Sequence, residues 1–279
     1  MSDGEYVFPN DEREQERLDI VNHMCMVTLD GASCLCPENK PTSADRVPDL
    51  GTGTGIWALD HADAHPEAAI VGVDFTPIKP GYVPPNCTFE TDDAEKEWAW
   101  TEPFDFVSAR NMNGSFANWE GVLGQAHNHL QPGRHLEIQG IIWPLVCDDG
   151  ALEEDPALRK WSRLLVEACS KLGRPIDKTD TMPAKMAAAG IRFPISPWSK
   201  DKKLRNLGIR NREQLLQGLE AFSLGSFARV LDWSKEEVVV LCAGVRKDLQ
   251  DLNIHAYWNR YVMYGRKPLK AEEESSLRN

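Results

Sequence analysis

The stretch VPDLGTGTGIWALD, residues 47–60, sets Gly51, Gly53 and Gly55 on alternate positions between an acid, Asp49, and an apolar helical run. Glycine in such a turn lets the backbone approach a ligand closely, because no Cβ intervenes. In an open α/β sheet the first strand-to-helix turn lies at the carboxyl ends of the strands, where ligands bind. Three patterns compete for it. A P-loop ends in Gly-Lys-Ser/Thr, and this loop runs into Ile56 and Trp57, which excludes a P-loop. A dinucleotide fingerprint, G-x-G-x-x-G, needs a glycine where Ile56 stands. What remains is G-x-G-x-G, with Asp49 two residues ahead of Gly51.

Outward from this loop the chain alternates. Arg46–Leu50 reads as a strand, Ile56–Ala64 as a helix, and Ala69–Asp74, Cys87–Glu90 and Phe104–Ala109 as strands. Trp119–Leu130 reads as a helix ended by Gln-Pro-Gly, and His135–Gln139 as a further strand. Strands alternating with helices at this spacing give a doubly wound, mostly parallel sheet, an α/β fold. Ahead of it, residues 11–29 form a helix with Leu18, Val21, Met24, Cys25 and Leu29 on one stripe. The turn-rich segment 31–45 is a connector. After Gln139 the rhythm changes: helices are expected over 151–172, Ala184–Ala189 and 211–249, the last broken near Ser234. A final strand is expected within 253–264. Helices inserted late in such a sheet read as a cap over the ligand crevice. The organisation expected is residues 1–45 as N-terminal helical lid and connector, then one domain over 46–279.

The acids around the loop select the ligand. Asp74 closes the second strand, where a carboxylate accepts from both hydroxyls of a ribose. Asp93 follows the third, placed to accept from an adenine amine. Carboxylates there disfavour a pyrophosphate and favour a ligand carrying positive charge. An adenosine bearing a sulfonium and an ammonium group meets those demands, which points to S-adenosylmethionine.

The formal net charge of −12 argues against a nucleic-acid surface, which needs clustered Lys and Arg. No apolar run approaches the length of a membrane span, and the polar, acidic start is unlike a secretory signal. Seven scattered cysteines without a CxxC pair read as reduced thiols of a cytoplasmic protein, with the nucleus as the alternative. Cys34 and Cys36 are close, but a lone CxC is a weak metal signal. His61 and His65, four apart, read as a solvated helix face, because no third ligand is evident. No metal is expected.

Beyond the loop, the sequence resembles the fungal LaeA-like family of class I methyltransferases over nearly its whole length. The resemblance is carried by YVFPNDEREQERLDIVNHMCMVTLDG, TPIKPGYVPPNCTFETDDAEKEW, FDFVSARNMNGSFANW and IHAYWNRYVMYGRKP. It implies a seven-stranded Rossmann-like sheet of order 3-2-1-4-5-7-6 with an antiparallel last strand. It also implies cofactor contacts at Asp49, Gly51, Gly53, Gly55, Asp74, Asp93 and Arg110, with Thr52, Phe75 and Ala94 beside them. Three positions depart from the family pattern: Pro48 inside the first strand, Arg134 in place of a glycine, and Gly140 in place of an acid.

Candidates for the reaction centre are His23, in the family-like N-terminal helix, and Tyr6 in EYVFPND. Trp143, Trp161, Trp198, Trp233 and Trp258 read first as core, and together as an aromatic wall for an acceptor. The expected function is methyl transfer to a small-molecule acceptor in fungal secondary metabolism. A LaeA-like regulator working with a velvet-type protein, and a non-methyl reaction such as cyclisation, are the alternatives.

Overall fold

The structure, a computed structural model, describes residues 12–37, 46–78, 80–152, 156–178, 189–251, 253–269 and 272. Its elements run α1 (Glu12–Thr28), β1 (Arg46–Leu50), α2 (Ile56–Ala64), β2 (Ala69–Asp74), β3 (Cys87–Thr91), β4 (Phe104–Arg110) and α3 (Trp119–His129). Then come β5 (Leu130–Val146), α4 (Ala157–Lys171), β6 (Ala189–Ile195), α5 (Lys202–Val230), α6 (Lys235–Gln250) and β7 (Tyr257–Arg266). The strands form one sheet in the order β3-β2-β1-β4-β5-β7-β6, as the resemblance implied. β7 runs antiparallel to both of its neighbours.

Both sheet faces are covered because the strands are apolar on both sides, as buried parallel strands must be. On one face Val107, Leu136, Ile138 and Met263 pack against Trp119, Val122 and Ala126 of α3. On the other, Val47, Ile70 and Phe106 meet Trp57, Ala58 and Ala62 of α2. A third core joins α4, α5 and α6 through Trp161, Leu219, Phe227 and Val245, and reaches the sheet at Leu145 and Trp258. Trp143 packs edge-on against Trp161 and Trp258, with ring centroids 5.9 Å apart in each pair. These tryptophans build the cap's core, and Trp233 adds to it against Phe227.

Several boundaries differ from expectation for visible reasons. β5 begins at Leu130, directly after α3, because Leu130 already pairs with Phe104. The next pair is Phe106 with His135, so Gln131–Arg134 bulges out of the ladder without ending the strand. Arg134 turns this bulge to use with an ion pair to Asp105 at 3.3 Å. α4 starts at Ala157, later than expected. Of the expected helix at Ala184–Ala189, residues 184–188 lie outside the described residues, and Ala189 opens β6. α5 starts at Lys202, nine residues earlier than expected, with the Asp201 carboxylate accepting from Leu204 N as its N-cap. Ser234 and Glu237 form a capping box that starts α6 at the expected break.

Candidate functional site

A cleft of about 460 Å³ opens at the carboxyl ends of β1 to β4. It is walled by the glycine loop, by the loops after β2, β3 and β4, and by α1 from above. Gly51 and Gly53 hold φ of 66° and 60°, a left-handed backbone that other residues adopt only under strain. A Cβ on Gly51 would also fall 2.1 Å from the Met112 sulfur. Gly55 differs. It caps the start of α2 and packs against the Phe89 ring, which leaves no room for a Cβ, and it does not line the cleft.

Of the residues expected to touch a cofactor, Asp49, Gly51, Thr52, Gly53, Asp74, Phe75, Asp93, Ala94 and Arg110 all line the cleft. Asp74 ties its wall together: its Oδ2 accepts from Gly53 N at 2.9 Å, and Oδ1 accepts from Thr76 N and Oγ1. Asp49 is buried, and desolvation pushes its carboxyl up to about 6, although the Arg110 guanidinium nearby pulls the other way. Arg110 donates from Nη2 to the Asn22 side chain of α1 at 2.9 Å and lies over the Trp57 ring. Its Nε and Nη1 have no partner among the described residues.

Leu18 and Asn22 of α1 line the cleft, being one helical turn apart. His23 follows Asn22 by about 100° around the helix; it is exposed and does not line the cleft. Tyr6 lies outside the described residues. Asn111 and Met112, just beyond β4, also form the wall and were not singled out from the sequence. The FDFVSARNMN stretch contained them, but nothing in their spacing separates them from a connecting loop. None of the five cap tryptophans reaches the cleft.

His61 overturns the solvated-face reading. It is 1% exposed, stacked on Trp57 at 4.5 Å and hydrogen-bonded to Ser33 Oγ at 2.8 Å. Burial pulls its pKa down to about 3, with the neighbouring His65 adding to the shift. The group among the described residues that could hold a metal is elsewhere: Cys34, Cys36 and Glu137, with ligand atoms within 4.8 Å of one another. Glu137 Oε2 accepts there from Leu35 N and Cys36 N, both at 2.8 Å, and Gln139 donates to Oε1. The carboxylate is thus engaged in holding the connector onto β5.

The departures from the family pattern have local explanations. Pro48 lies where the β1–β4 ladder has not begun, since the pairing starts at Asp49–Ser108. At Gly140 a Cβ would meet Asn113 Oδ1 and the Tyr261 hydroxyl, each at 2.6 Å, so an acid there would have to displace these side chains.

Residues 31–171 match the family described as a methyltransferase domain. The methyltransferase pytC of Aspergillus terreus is 39% identical over 274 residues, covering 95% of this chain and 84% of that protein. The secondary metabolism regulator laeA of Aspergillus fumigatus is 35% identical over 280 residues, covering 95% and 74%. Among solved structures, coclaurine N-methyltransferase superposes with a TM-score of 0.50 at 14% identity, covering 87% of this chain and 70% of that one, a likeness of fold. The glycine loop, the strand-ending acids, the 3-2-1-4-5-7-6 sheet and these relatives agree: this chain belongs to the LaeA-like family of S-adenosylmethionine-dependent class I methyltransferases.

Proposed function

We propose that this chain methylates a small-molecule acceptor of fungal secondary metabolism, with S-adenosylmethionine held by the cleft residues Asp49, Gly51, Thr52, Gly53, Asp74, Phe75, Asp93, Ala94 and Arg110. The observation that carries the reading is the cleft's own chemistry. Its glycine floor holds a left-handed backbone at Gly51 and Gly53, carboxylates stand at the ends of β1 and β2 and after β3, and Arg110 has unspent donors in the wall. A ligand with a sugar diol, an amine, a positive sulfur and one carboxylate matches each of these groups.

When bound, S-adenosylmethionine supplies an activated methyl group whose thioether leaving group needs no acid. The chain's residues then act mainly by positioning. Asp74 accepts from the ribose hydroxyls while it fixes the Gly53 loop. Asp49, once ionised, balances positive charge at the loop. Arg110 offers Nε and Nη1 to the carboxylate. Leu18 and Asn22 of α1 cover the cleft and exclude water, and orientation of the acceptor supplies the acceleration. No histidine lines the cleft, which fits an acceptor that arrives with an acidic hydroxyl, thiol or carboxyl group.

Calorimetry with S-adenosylhomocysteine tests the assignment. Asp74→Ala should lose about 2–3 kcal/mol of binding, the value of a charge-assisted pair of contacts; unchanged affinity would remove Asp74 from the site. The similarity to laeA favours a second reading, a regulator that works with a velvet-type protein partner. Incubation with labelled cofactor and a fungal metabolite extract separates the two, because the regulator reading predicts no labelled small molecule.

A further inference from the structure

Arg260 of β7 is the one buried arginine among the described residues, 1% exposed. Its Nη2 donates to two neutral acceptors, Cys25 Sγ of α1 at 2.8 Å and the Asn111 side-chain oxygen at 2.7 Å. Nε and Nη1, which carry three N–H groups, have no acceptor, and no carboxylate of the described residues pairs with the charge. A buried cation without a counter-ion is costly, and replacing such a group with an apolar one is often neutral or stabilising. The fold gains only the two bonds of Nη2 to uncharged acceptors, and the three N–H groups of Nε and Nη1 add nothing to it.

Its position suggests what it serves. Because β7 is antiparallel, Arg260 sits opposite Ile141 of β5 and Phe193 of β6, near the carboxyl edge of the parallel strands. Along that edge the proposed cofactor groups follow sheet order: Asp93 after β3, Asp74 on β2, Gly51 after β1, Arg110 on β4. Beyond β5 lies Arg260, which does not itself line the cleft but bonds the Asn111 side chain, which does. Asn111 holds a left-handed backbone, φ 56°, that aims its amide oxygen at the guanidinium.

We propose that Arg260 is a specificity-determining residue that binds a carboxylate of the methyl acceptor. This rests on the cofactor assignment above, with the acceptor reaching Arg260 from the cleft at the Asn111 side chain. The carboxylate displaces the Asn111 amide oxygen, an uncharged acceptor, and takes up the unspent planar fork of N–H groups, a geometry that suits a carboxylate. Acceptors in which that carboxylate is replaced by an amide or ester are excluded, since the guanidinium would stay buried without a counter-charge.

Thermal shift measurements with benzoate as the probe and benzamide as its neutral counterpart test this on the whole chain. Benzoate should raise the melting temperature of the wild type with increasing concentration, and benzamide should not. The benzoate response should vanish in Arg260→Met and persist, reduced, in Arg260→Lys. Arg260→Met without ligand should melt at or above the wild-type temperature. A benzoate response equal in wild type and Arg260→Met, or no response in the wild type, would overturn the proposal. So would an Arg260→Met protein that melts well below the wild type, because Arg260 would then be a structural group. S-adenosylhomocysteine provides the separate control: its stabilising effect should be the same in both proteins. Its absence from both would count against the cofactor assignment, while the benzoate comparison still judges Arg260.

Discussion

Asp49 of β1 and His61 of α2 respond to acid in opposite senses. Asp49 titrates in the folded protein at about 6, above its ordinary value of 3.8. Its protonated form therefore favours the fold, a contribution complete below pH 3.8 and lost as the pH rises through 6. Binding a positively charged ligand needs the ionised form, so affinity for S-adenosylmethionine should fall about tenfold between pH 7.5 and pH 5. Asp49→Asn should flatten that profile, and calorimetry in buffers of different ionisation enthalpy should register the proton released on binding near pH 6. His61 titrates at about 3 when folded, below its ordinary 6.5. Its contribution to stability is present above pH 6.5 and lost as the pH falls toward 3. His61→Phe, which keeps a ring against Trp57, should therefore lose less melting temperature than the wild type between pH 6.5 and 4, a difference of several degrees. The sequence made Asp49 and Asp74 legible because both follow from local patterns, an acid before a glycine loop and an acid closing a strand. It did not make His61 legible. Ser33 from the connector and Phe106 from β4 bury that ring, and neither contact leaves a trace in the spacing of two histidines.

α1 was legible as a helix and as a lid from its stripe and place, and Leu18 and Asn22 do line the cleft, but its packing against β6 and α5 was not legible. Met24 sits in a core with Ile195 of β6 and Leu207 of α5. Arg17 bonds Gln214 and Glu14 and lies over the Phe222 ring at 4.9 Å. α1 is therefore both a wall of the cleft and part of the packing that holds β6 and α5. Met24→Ala should cost about 2–5 kcal/mol in urea unfolding, the range for truncating a buried methionine. The early start of α5 escaped the sequence reading for a related reason. Lys202–Arg210 is mostly polar and contains Gly208, a poor helix former. In the structure, Gly208 is where α5 lies flush on a neighbouring backbone: a Cβ there would stand 2.1 Å from Ser196 C and Pro197 N. Backbone cannot step aside as a side chain does, so Gly208→Ala should destabilise by about 3 kcal/mol or more, despite alanine's better helix propensity. A stability equal to the wild type would mean that the 196–197 segment yields.

At the scale of the molecule, alternating strands and helices announced the parallel half of the sheet, β1 to β5. The order of the last strands came from resemblance alone, since insertion of β7 between β5 and β6 depends on pairing across the whole helical cap. Among the described residues no helix is long and apolar enough to cross a membrane. The sheet, its cap and α1 share buried contacts, so unfolding should be cooperative and linked to ligand. S-adenosylhomocysteine at a hundredfold excess over its Kd should add about 2.7 kcal/mol and raise the melting temperature by about 5 °C. The sheet order also bears on how the protein is made. β7 is the last strand in the sequence but an interior one in the sheet. A nascent chain that has not yet released residue 257 from the ribosome carries β5 with an unpaired edge and β6 with no sheet to join. Such an edge invites pairing with other chains. Biosynthesis thus leaves the molecule dependent on its final stretch: stalled chains ending before Tyr257 should be open to proteolysis and held by chaperones, however complete their glycine loop.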